Sequence, residues 1–160
     1  MKQTLKVISI CLLPALVSIP MFVIYFMLMW ADQQALIMVI SVYMLACWAL
    51  LHAKVLKKKQ DAVKKFVLLN GVPFGMAFLG SVTTLIPKYE TLSIISMEYY
   101  QAIWPLMILC ASKIDTRVTA YYGSTTWTVY IIGLGMMLLA GILGIGIKYK
   151  LLNNQEVGNQ

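Results

Sequence analysis

Acidic residues are scarce in this chain. There are six in 160 positions, against thirteen basic ones, of which Arg117 is the single arginine. Charged residues of both signs make up 12% of the sequence, where a soluble domain carries about a quarter. Histidine occurs once, as His52, and cysteine three times, as Cys11, Cys47 and Cys110. The odd count, the absence of a CxxC pair and the placement of all three in apolar runs argue against a disulfide framework and against thiol redox chemistry. One histidine with scattered cysteines does not build a closed zinc site. "YYGST" (121–125) has a Ser after a Gly but neither the GxSxG pattern nor a base, and no phosphate-binding loop occurs. The expectation is a protein that is not an enzyme and that carries no cofactor.

Apolar residues are abundant, at 61% of the chain, and they fall in long blocks. Five runs stand out, at 7–30, 35–53, 66–86, 92–111 and 127–147. About 20 apolar residues cross a bilayer core as a helix, so each is long enough to span. The first begins after Lys2 and Lys6 like a signal peptide. It is too long for such an apolar stretch and ends in no small-residue cleavage site, so it reads as an uncleaved span. "ADQQ" (31–34) and "PKYET" (87–91) are tight turns. The tail 148–160 is polar and reads as frayed. These runs predict an all-α polytopic membrane protein, with about five transmembrane helices in a small bundle and a single integral membrane domain over 1–160.

The net charge of +7 is distributed as a topology signal. The loop 54–65, "KVLKKKQDAVKK", holds Lys54, Lys57, Lys58, Lys59, Lys64 and Lys65, six of the thirteen basic residues. Such a cluster marks the cytoplasmic side and favours contact with anionic lipid headgroups. No basic groove suited to nucleic acid accompanies it. Five crossings put the N-terminus in the cytoplasm and the C-terminus outside, with ten basic residues inside and three outside. If the fourth run re-enters without crossing, Lys113 and Arg117 exchange sides with Lys148 and Lys150, and the count is again ten to three. The length of that run favours a full crossing. Abundant Lys, little Arg and minimal loops point to a multi-pass protein of a bacterial inner membrane.

Membrane helices associate through small residues and interhelical hydrogen bonds. In the third run Asn70, Pro73, Ala77, Gly80, Ser81 and Thr84 recur at helical spacing on one face, with the GxxxG of Gly71 and Gly75 beside it. In the fifth, Gly133, Ala140 and Gly144 do the same. The fourth run contains one charge, Glu98, and Gln101, Ala102 and Pro105 share its face. Intramembrane carboxylates are costly and mark ion paths, proton relays or paired structural sites. Glu98 is therefore expected to turn toward protein, near the small polar stripe of the third run. His52 lies at the edge of the second run beside the lysines and reads as a boundary or packing residue. The resulting candidate site is Glu98, Gln101, Asn70 and Thr84 with Gly71, Gly75, Gly133 and Gly144.

Two functions fit these features. One is an accessory protein that binds another integral membrane protein through its small-residue faces, as an assembly factor, a complex subunit or an immunity or exclusion protein. The other is a small oligomeric transporter or ion channel with Glu98 in a polar path. The partners expected are the lipid bilayer and another membrane protein or a second copy, with no nucleic acid.

Overall fold

The computed structural model describes residues 20, 23, 24, 27, 34–86, 90–115 and 127–157. Nearly all of the first predicted run, the turn at 87–89 and most of the 113–126 loop lie outside the described residues. The described elements are helices and the turns between them. α1 is Gln34–Val55, α2 Ala62–Leu85, α3 Glu90–Tyr100, α4 Trp104–Ile114 and α5 Trp127–Val157. Short 3-10 turns occupy Lys59–Asp61 and Gln101–Ile103. Four helical stretches are long and apolar enough to cross a membrane: Ala35–Val55, Lys59–Leu85, Ile94–Ile114 and Trp127–Asn154.

α5 organises the bundle. At 31 residues it is about 46 Å long, which exceeds the hydrocarbon core of a bilayer. It packs against α1, α2 and α4. Tyr130, near its start, lies against Gly80 in the last third of α2. Asn153, near its end, accepts a hydrogen bond from Lys59 Nζ at 3.0 Å. α5 therefore runs antiparallel to α2 and ends beside the lysine turn. α1 meets α5 where Gly144 abuts the Ala49 carbonyl, so closely that no side chain fits at 144. The shared core contains Met44, Trp48, Ala77, Tyr100, Ile103, Met107, Ala111, Tyr130 and Met137.

The fourth predicted run, although long and apolar enough to cross, is broken at Gln101–Ile103 and folds back within the bundle. α3 enters from the end opposite the lysine turn and packs on α2. Its 11 residues span about 16 Å, roughly half the apolar core. Tyr100, its last residue, donates a hydrogen bond to the carbonyl of Pro73 in the middle of α2, at 2.7 Å. The chain then turns through Gln101–Ile103 against α1, and α4 returns along α5 and α1. Asp115, just past α4, accepts a hydrogen bond from Thr128 Oγ1 at 2.9 Å, at the start of α5. Both ends of this segment are thus at the end of the bundle away from Lys59. The break has a local cause. Pro105 has no N–H to give the carbonyl of Gln101, and its ring opposes helical continuation through the preceding turn. Pro is instead well placed near the start of α4, where a free N–H would have no partner.

Two further expectations change with this topology. The C-terminal end of α5 lies at the lysine end, not on the far side. The segment after 147 is also helical to Val157 where a frayed tail was expected, and it is tied down by Lys59, which bonds Asn153 and lies 5.4 Å over the Tyr149 ring.

Candidate functional site

The predicted site residues do not converge. Asn70 is buried near the lysine end, where α2 faces α1. The carbonyl of Trp48 can only accept, so His52 Nδ1 donates to it, at 2.9 Å. Nε2 is then the acceptor of the ring, and Asn70 Nδ2 donates to it at 2.9 Å. The same amide nitrogen also donates to the Phe66 carbonyl at 2.9 Å. Both ring nitrogens of His52 are engaged, and the imidazole has no access to solvent. Trp48 meets it edge-on, with centroids 5.1 Å apart, and Phe66 lies at 5.9 Å. Gly141 of α5 closes the pocket, since a Cβ there would come within 2.9 Å of Nε2. Two buried atoms in this cluster, Trp48 Nε1 and Asn70 Oδ1, have no hydrogen-bond partner among the described residues.

Glu98 is exposed and points away from the bundle. On α3 the buried face is Ser96, Tyr99 and Tyr100, while Ile94, Ile95 and Glu98 face outward. The expected approach of Glu98 to the small polar stripe of α2 does not occur, because the large tyrosines occupy that side. Gln101 sits in the turn at the hairpin tip, with its Oε1 buried and without a partner among the described residues. Ser96 Oγ and Tyr99 Oη share that condition. Thr84 donates to the Ser81 carbonyl at 2.8 Å within its own helix.

The glycines divide into two groups. Gly133 lies against Met107 and Tyr100, Gly144 against Ala49, and Gly80 against the Tyr130 ring, where a Cβ would come within 2.6 Å. These lie inside the bundle. Gly71 and Gly75 have no described atom within 4 Å of a Cβ, as is also true of Gly135 and Gly146 on α5, and they lie on the outer face of α2 with Val67, Phe74 and Phe78.

No family model, curated protein or solved structure matches this chain. Geometry therefore carries the functional assignment. The lysines gather at one end: Lys54 closes α1, Lys57, Lys58 and Lys59 form the turn, Lys64 and Lys65 open α2, and Lys148 and Lys150 lie on the last part of α5. Among the described residues eight lysines lie at this end, and Lys113 alone lies at the other. Sequence patterning missed the His52–Asn70 pair as a site. The signal was present, because the two residues are nine positions either side of Asp61 (61 − 52 = 9 and 70 − 61 = 9), and a hairpin turning there sets them opposite each other.

Proposed function

We propose that this chain is a non-enzymatic multi-span protein of the bacterial inner membrane that binds another integral membrane protein, as an assembly factor, a complex subunit or an immunity or exclusion protein. The lysine end is assigned to the cytoplasm by the positive-inside rule, with the N-terminus on the same side. The observation that carries this reading is the contrast among the glycines. Those at 80, 133, 141 and 144 meet the protein's own side chains or backbone. Gly71 and Gly75, like Gly135 and Gly146 of α5, have no described atom where a side chain would stand, and on α2 this leaves a shallow groove beside the exposed Phe74 and Phe78. Lipid gains little from such a groove, while a second helix can approach its backbone closely.

Gly75→Leu is expected to insert and fold normally yet lose its partner in site-specific cross-linking from position 71 or 78 in cells. Gly144→Leu drives a side chain into the Ala49 carbonyl and is expected to destabilise the bundle by about 1–3 kcal/mol or more. Unchanged cross-links in folded Gly75→Leu would remove the α2 face as the binding surface. A second reading, a small oligomeric transporter or channel, draws on the Ser96, Tyr99 and Gln101 atoms near the hairpin tip, which have no partner among the described residues. With Glu98 on the outer face of α3, such a path would lie between copies, and ion flux in proteoliposomes distinguishes it.

A further inference from the structure

We propose that the outer face of α3 docks a transmembrane helix of a different protein, one that carries a Lys or Arg within its span to pair with Glu98. This rests on the role as a binder of membrane proteins and names the chemistry of the partner. Glu98 is eight residues into α3, roughly 12 Å along it, and two residues before the break at the hairpin tip. Ile94 and Ile95, each 49% exposed, flank it. α3 cannot rotate to bury the carboxylate, because that would pull Tyr100 off the Pro73 carbonyl and bring buried Ser96 and Tyr99 to the surface. A carboxylate within an apolar belt is costly against lipid, and so is a basic group in a partner's span. Pairing the two offsets both costs.

A second copy of this chain carries no basic group within any of its apolar runs. None of the runs 7–30, 35–53, 66–86, 92–111 and 127–147 contains a Lys or Arg. The one histidine is buried with both ring nitrogens engaged. Lys113 lies in the last turn of α4, at the mouth of the hairpin and not at the depth of Glu98. Charge complementarity at that depth therefore points to a heterologous helix. α3 and α2 present separate outer faces, so a basic helix on α3 and a close-packed helix on the α2 groove are compatible.

The test uses the full-length protein in nanodiscs with fluorescent single-span host helices of Leu and Ala. These carry one Lys, one Ala or one Glu at the level of Glu98. Energy transfer is expected to show the Lys helix binding wild type about tenfold more tightly than the Ala helix. Glu98→Gln should abolish that difference. Glu98→Lys should shift the preference to the Glu helix, with helical content and monodispersity checked for both variants. Equal binding of the Lys and Ala helices to wild type overturns the proposal. So does a Lys preference that survives in folded Glu98→Gln, or self-association of wild type that excludes every host helix. No native partner is present in this assay. Loss of cellular cross-links from α2 therefore bears on the broader role alone, and the nanodisc result bears on the chemistry at Glu98 alone.

Discussion

His52 and Asn70 form the best-defined polar contact between α1 and α2, two helices that otherwise touch little. Each satisfies the other in a place where water is absent, so removing one leaves the other's hydrogen-bonding group unpaired. Asn70→Leu strips Nε2 of its donor, and His52→Leu strips Asn70 Nδ2 of one of its two acceptors, leaving only the Phe66 carbonyl. A double-mutant cycle on these two substitutions, read by unfolding in detergent, is expected to give a coupling of about 1–2 kcal/mol, at the upper end for membrane proteins. Additive effects would mean that the contact contributes packing alone. Neither residue is exceptional in the sequence. A histidine beside lysines resembles a headgroup-level residue, and only the position of the turn reveals that it faces Asn70.

The most consequential element is the α3–α4 hairpin. Its tip is a short 3-10 turn that interrupts the α-helical hydrogen-bond ladder within an apolar run, and such an interruption is tolerated where protein surrounds it. Here α1 packs on the tip itself while α2 and α5 pack on its two arms, and Tyr100 provides a specific anchor at 2.7 Å from the Pro73 carbonyl. Tyr100→Phe keeps the ring against Tyr130 and removes only the hydroxyl. It is expected to cost about 1 kcal/mol and to raise hydrogen exchange at the tip before the rest of the bundle loosens. Uniform exchange across α3 and α5 would show that the bond does not anchor the tip. The helical class, α1, the body of α2 and the start of α5 were legible because long apolar blocks, lysine clusters and flanking turns bound them. The hairpin was not. A run of 20 apolar residues has the length of a span whichever way its second half travels. Pro105 reads in the sequence only as a member of the Glu98 face, and nothing in periodicity tells a kink from a reversal. For the same reason the outward Glu98 was misplaced: its face was identified, and the side of α3 that packs was decided by Tyr99 and Tyr100.

At the scale of the molecule, the return of α4 fixes which ends share a side. Lys58 and Lys150 belong to one end of the bundle and Lys113 to the other. In a background with Cys11, Cys47 and Cys110 replaced by Ala, single cysteines at 58 and 150 are expected to react with an impermeant maleimide from the same face of the membrane. A cysteine at 113 should react from the opposite face. Labelling of 58 with 113, and of 150 from the other face, would restore a full crossing. Charge alone could not make this distinction, since both topologies divide the basic residues ten to three. The central position of α5 also sets an order of events during synthesis. The hairpin leaves the ribosome before the helix that walls its second arm, so until Trp127–Val157 is made α4 lacks the helix along which it returns. α5, made after the hairpin, is the helix that commits it to its folded-back form, and a chain truncated before α5 would be left with α3 and α4 free to straighten into one continuous helix.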